Sequence, residues 1–239
     1  MGNSVVCFIP CCKSKTATGR IEGEGRGLTL DDLPNTWNLL LRGRNGMHRI
    51  ADKRNDVYID LNSPETSAIR LYAGAFYSQF NLNEIIQEVQ ASRLRLIIIS
   101  AWYGIVDAFE PLHRYEAQMK GEIARHWRDH RLDRIISDLL LTLKPSSVFG
   151  FFTGPEHWSG PHAKYRYFFA TGLSNALSEG LGLTMSGCFH IVSGLWPLAA
   201  LGRTFSDFLR SGFSGDFVSD IAENGRVDGE VGIGFKGLI

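Results

Sequence analysis

Leu96-Ile97-Ile98-Ile99 is an aliphatic run with no polar face. A strand with one side in water would alternate, so this run fits a strand covered on both sides, as in a parallel sheet flanked by helices. Three further stretches share that character: Val5 to Ile9, Ser147 to Phe152 and Cys188 to Ser193. Between them, apolar residues recur at helical spacing, as in Leu82, Ile85, Ile86 and Val89. Strands alternating with helices predict right-handed crossovers between parallel strands. The expected fold class is α/β: a single domain over residues 1–239, with a central, mostly parallel four-stranded sheet flanked by helices.

A chain of 239 residues can bury a core of that size without staples. Of its four cysteines, Cys7, Cys11, Cys12 and Cys188, none forms a C-x-x-C pair or has a histidine at zinc-ligand spacing. No metal and no cofactor is expected. The N-terminus lacks a charged region followed by a long apolar stretch, and no run approaches a membrane span. A cytoplasmic chain with free thiols is therefore expected. Formal charge is zero, so any case for nucleic acid rests on where the charge sits.

The spacing predicts a helix over Leu28–Leu41, then a basic, glycine-containing loop from Arg42 to Arg54. A short strand is expected at Val57–Leu61 and a helix-like segment after Pro64. A long helix is expected from about Ala117 to Leu143, interrupted near His130. Further helices are expected over Tyr165 to Leu181 and Phe205 to Ala222, with an irregular tail or short ribbon after Asn224.

Each expected strand exits into a loop rich in chemistry: Pro10–Lys15, Ser100–Asp107, Thr153–Trp158 and Gly194–Pro197. In open α/β sheets ligands bind outside the carboxyl ends of the strands, so these exits predict one site. There is no G-x-G-x-x-G after the first strand, no P-loop and no G-x-S-x-G elbow. What remains is lysines, hydroxyls, an acid at Asp107 and aromatics at Trp102, Tyr103, Phe152, Trp158 and Trp196. Aromatics beside cations suit a stacked base and its phosphate. An acid there suits activating water or stabilising a sugar cation. Each aromatic taken singly reads better as a core cap.

Three segments carry a resemblance. They are Cys11-Cys12-Lys13-Ser14-Lys15, Arg70-Leu71-Tyr72-Ala73-Gly74-Ala75-Phe76, and Ile98-Ile99-Ser100-Ala101-Trp102-Tyr103-Gly104-Ile105-Val106-Asp107 with Pro111 and Tyr115. Together they resemble the YaaA-like proteins over about residues 5–119. The chain departs from that pattern in the doubled cysteine and in Leu112-His113-Arg114 between Pro111 and Tyr115. The resemblance implies DNA binding. The strand pattern is also similar to the uracil-DNA-glycosylase-like superfamily, without its standard motifs. Phage-defence DNA glycosylases that remove glucosylated hydroxymethylcytosine would fit such a chain.

The implied function is excision of a modified base from double-stranded DNA, the nucleotide flipped into the sheet edge. The alternatives are a non-catalytic DNA-binding stress protein and a small-molecule α/β enzyme. Asp107 and Lys13 are the expected catalytic residues. Cys12, Ser14, Ser100, Trp102, Tyr103, Tyr115 and Glu156 would line the base pocket. Arg44, Arg49, Arg114, Lys120, Arg125, Arg128, Arg131 and Trp196 would contact the nucleic acid.

Overall fold

The computed structural model describes residues 4–16, 18–19, 26–154, 156–160, 162–194 and 197–237. In chain order its strands and helices are β1 (Val5–Pro10), α1 (Trp37–Ala51), β2 (Tyr58–Asp60), β3 (Thr66–Ser67), α2 (Ala68–Leu71), α3 (Leu82–Gln90), β4 (Leu94–Ser100), β5 (Gly104–Asp107), β6 (Pro111–Leu112), β7 (Arg114–Glu116), α4 (Gly121–Asp129), α5 (Leu132–Leu143), β8 (Ser147–Phe152), α6 (Tyr165–Ser178), β9 (Met185–Ser193), α7 (Pro197–Arg210), α8 (Gly215–Asn224), β10 (Arg226–Asp228) and β11 (Val231–Gly237).

The central sheet has seven strands, not four, in the order β10-β11-β9-β8-β1-β4-β5. The four apolar runs form its parallel centre, β9-β8-β1-β4. Antiparallel strands extend both sides: β5 folds back on β4, and β11 followed by β10 pairs outward from β9. Two small ribbons, β2 with β7 and β3 with β6, lie outside this sheet.

Helices cover both faces, which is why the parallel strands carry no polar alternation. On one face Phe169 of α6 packs against Phe8 and Phe152, with α5 beside α6. On the other, Phe205 and Phe208 of α7 meet Phe149 and Phe151. The buried apolar residues form one contiguous core.

The long helix expected after Ala117 is two helices. His130 caps the first, and Arg131, in the left-handed region at φ +54°, opens the second. The last expected helix also divides, at Gly212 and Phe213, both with positive φ. The largest local correction is the basic stretch from Arg42, which is helical throughout most of its length rather than a loop. Its glycines serve packing: a Cβ at Gly43 would strike the Trp127 ring, and one at Gly46 the His126 ring. Close approach of α1 to α4 therefore requires glycine at both positions.

Candidate functional site

The four parallel strands end on the same edge, where β1 exits at Cys11 and β4 at Ser100. Cys11 N–H donates to the Ile99 carbonyl, tying these exits together at 2.9 Å. After β1 the chain stays extended and bridges the Tyr72 segment at Lys15. Backbone bonds from Thr16 N–H to Leu71 and from Ala73 N–H to Ser14 fix the two segments side by side. The short ribbon β2–β7 brings Tyr115 to the same place.

A chain of buried hydroxyls results. The Tyr115 hydroxyl lies 2.8 Å from that of Tyr72 and 2.9 Å from Ser100 Oγ. Ser100 Oγ also accepts the Tyr103 backbone N–H at 3.0 Å, so the β4 exit turns around it. The ammonium of Lys15 sits 4.1 Å from the centre of the Tyr115 ring and donates to the Cys12 and Lys13 carbonyls at 2.9 and 3.3 Å. No carboxylate pairs with Lys15 among the described residues. Two carbonyls and a ring face thus receive the Lys15 side chain.

Burial pushes the hydroxyl pKa of Tyr72 and Tyr115 well above 10, so both remain neutral donors at physiological pH. Tyr165, the first residue of α6, places its hydroxyl 3.1 Å from Cys11 Sγ, and burial raises its pKa likewise. Cys12 is pinned: its sulfur accepts the Gly74 N–H and its thiol meets the Ser14 carbonyl. Burial, with Cys11 adding to it, pushes the Cys12 thiol up to about 11, so it is a thiol and not an attacking thiolate at neutral pH.

The structure thus brings Cys12, Ser14, Ser100, Tyr103 and Tyr115 to one edge, with Lys13 exposed at its rim. Lys15, Tyr72, Cys11 and Tyr165 complete the group and were not singled out as site residues from the sequence. Lys15 and Cys11 lay inside the Cys-Cys-Lys-Ser-Lys segment and Tyr72 inside the Arg-Leu-Tyr segment, so proximity to those motifs was their signal. Tyr165 had none beyond its position at a helix start after an exit loop. Glu156 follows the β8 exit, but its carboxylate is held by Lys236 at 2.8 Å and Arg166 at 3.5 Å. Partial burial works against its charge, but those cations outweigh it and lower its pKa.

Several expectations are corrected by placement. Gly104, at φ +77°, reverses the chain into β5 instead of leading it beyond the edge. Asp107 therefore lies opposite Ile97, three residues back from Ser100, about 10 Å from the edge at the usual strand rise. It is buried, paired with Arg95 Nε at 3.0 Å, and burial raises its pKa despite that arginine. Trp102 is 1% exposed and stacks no ligand; its ring lies behind Tyr115, edge-on to His48. Arg44 is a half-buried structural cation: it bonds the Tyr103 and Ile105 carbonyls and Glu110 at 2.8 Å.

The remaining basic residues divide. Arg114 pairs with Asp60 and Arg131 with Asp133, each at 3.0 Å, which reduces what either offers a phosphate. Arg49, Lys120 and Arg125 are exposed and make no ion pair among the described residues. Arg128 lies 4.5 Å over the Trp158 ring, so α4 reaches the β8 exit. Trp196 lies outside the described residues. Among the described residues no group of three His, Cys, Asp or Glu side chains could hold a metal. Nor, among them, is any helix long and apolar enough to cross a membrane. Compared with models of known protein families and with curated proteins, the chain matches none.

Proposed function

We propose that the carboxyl edge of the sheet receives a nucleotide flipped out of double-stranded DNA, and that the protein is a DNA glycosylase acting on a modified base. One observation carries this reading: Lys15, seated on the Tyr115 ring, stands beside the joined hydroxyls of Ser100, Tyr72 and Tyr115 with no carboxylate among them. Breaking an N-glycosidic bond sends the bonding electrons into the base and leaves positive charge on the sugar. A pocket of fixed donors stabilises negative charge as it develops on the departing base, and does so most in the transition state. Burial strengthens such donors because water does not screen them.

In this reading Lys15, held on the Tyr115 ring beside the joined hydroxyls, faces the leaving base, and Lys13 at the rim meets a phosphate. Tyr103 and Trp158 are the half-buried aromatics of the exits that a base or sugar can contact. Arg125 and Arg128 supply charge for the backbone beyond the pocket. Glu156, the carboxylate of the β8 exit, is the residue to test for activating water; its cation partners keep it ionised.

Purified protein would be incubated with duplexes carrying unmodified and hypermodified bases, then scored for alkali-labile abasic sites. Abasic product from a modified duplex, lost in Lys15→Ala, is the expected result. No abasic product from any duplex overturns the enzyme reading. The lack of a carboxylate in contact with the hydroxyl chain favours one other reading, in which this edge binds DNA and cuts nothing. Salt-dependent duplex binding without product would then decide for it.

A further inference from the structure

A cavity of about 310 Å³ opens at the opposite end of the sheet, where β1 and β4 begin. Its floor is apolar: Val6, Leu94, Leu96, Val89, Phe109 and Leu143. One wall carries Arg26, Arg95 and Asp107. Arg95 is committed, bonding Asp107 at 3.0 Å and Asp32 at 2.9 Å. Arg26 is not. Its side chain is 61% exposed, it donates to the Thr29 hydroxyl at 2.8 Å, and its approach to Asp32 is only 3.6 Å.

Asp32 is already bonded by Arg95 and by the Thr29 N–H and hydroxyl, so it has little left for a second guanidinium. Among the described residues the wall therefore presents a cation that spends Nη1 on the Thr29 hydroxyl and makes only a long approach to Asp32 through Nη2, next to an apolar hollow.

We infer that this cavity binds a small amphipathic carboxylate, such as a medium-chain fatty acid or an arylcarboxylate, with its tail on the apolar floor and its head on Arg26. The size falls at the lower end of small-ligand pockets. The planar guanidinium matches a carboxylate with two parallel hydrogen bonds, which a lysine would not. Burying the tail supplies the affinity and the guanidinium sets the sign of the head group. This site is separate from the carboxyl edge, and its occupancy does not depend on what that edge does.

Octanoate, 1-octanol and octylamine are matched in tail and differ in head. Isothermal titration calorimetry of each into the full-length protein at neutral pH tests the assignment. Octanoate is expected to bind one per chain, octanol about tenfold more weakly, since a hydrogen bond to a charged group is lost, and octylammonium more weakly still. Arg26→Gln should reduce octanoate affinity about tenfold and leave octanol binding as it was. Val89→Phe should block both by filling the cavity, with its melting temperature showing whether it folds. The Arg26 result stands even if Val89→Phe does not fold. Equal binding of octanoate and octanol, no octanoate binding, or an Arg26→Gln affinity equal to wild type would each overturn the inference.

Discussion

The two ends of the sheet use polar side chains in opposite ways. At the carboxyl edge the groups are hydroxyls, thiols and a lysine ammonium, and among the described residues the hydroxyl chain touches no carboxylate. Along β4, β5 and the amino end, arginines and carboxylates are joined in a relay. Arg44 bonds Glu110, Glu110 accepts the Asp107 N–H, Asp107 bonds Arg95, and Arg95 bonds Asp32. Charges satisfied by one another hold the hairpin in place and have little left for a ligand. Neutral donors and one ammonium that no carboxylate pairs among the described residues do have something left. A carboxylate close to a strand exit in sequence is thus no guide to catalysis until its partner is known.

Glu110→Ala is the sharpest way to break that contrast. It leaves the half-buried Arg44 without its carboxylate and the buried Leu28 and Asp107 N–H groups without their acceptor, a combined cost of about 3–5 kcal/mol. Chemical denaturation should show that loss; a cost below about 1 kcal/mol, as for an exposed pair, would mean the relay is not structural. Next in size is Lys15→Ala. Losing one preorganised electrostatic contact typically lowers rate by about 10²–10³. Stability should stay within about 1 kcal/mol of wild type, because two loop carbonyls and a ring face hold a half-buried ammonium with little net energy. Single-turnover base release read beside a melting curve separates the two effects. Tyr115→Phe is smaller: it removes the hydroxyl shared by Ser100 and Tyr72, worth about 1–3 kcal/mol of stability if both are left short of a partner. A melting temperature unchanged in that variant would show that water replaces the hydroxyl and that the chain is open to solvent.

The contrast also explains what could be read in advance. The four parallel strands were legible because burial on both faces removes polar residues, and that leaves a mark in every window. Of the antiparallel extensions, β5 was not, and the ribbon after Asn224 was legible only as one of two readings. Strand β5 spans only Gly104–Asp107, too short to show a period, and it follows a glycine that reads equally as the start of a loop. In β11 the alternation Val231, Ile233, Phe235 was present, but the interleaved glycines and Lys236 resemble an irregular tail. Missing β5 moved Asp107 to the wrong end of its neighbour. The helix from Trp37 to Ala51 was obscured by Gly43 and Gly46, whose low helix propensity is overridden by packing on Trp127 and His126. At the candidate site, residues within the motif segments were placed together correctly. Tyr165 was not, because it arrives from about 150 residues further along the chain and no local pattern announces it.

Asp107→Asn gives the smallest effect and the clearest reversal of the sequence expectation. Read from sequence, this acid would sit against a sugar, and asparagine would abolish base release. In the structure its Oδ2 accepts from Arg95 Nε and its Oδ1 accepts from the Phe109 N–H. An asparagine can keep one of these acceptors and must give up or turn the other, so the cost should be about 1 kcal/mol at neutral pH. Base release should match wild type, since the side chain lies away from the edge and reaches Ser100 through no hydrogen bond. The pH dependence follows from the direction of its shift. Burial, which outweighs Arg95, raises the carboxyl pKa in the folded protein above the unfolded value near 4. The folded state then holds the proton more tightly than the unfolded chain does. This contribution to stability is fully present below the unfolded pKa and is lost as pH rises through the folded one. Wild type should therefore gain on Asp107→Asn when the pH is lowered from 7 towards 4. Denaturation midpoints for the two proteins across that range would show it. A difference that moves the other way would mean that Arg95 outweighs burial.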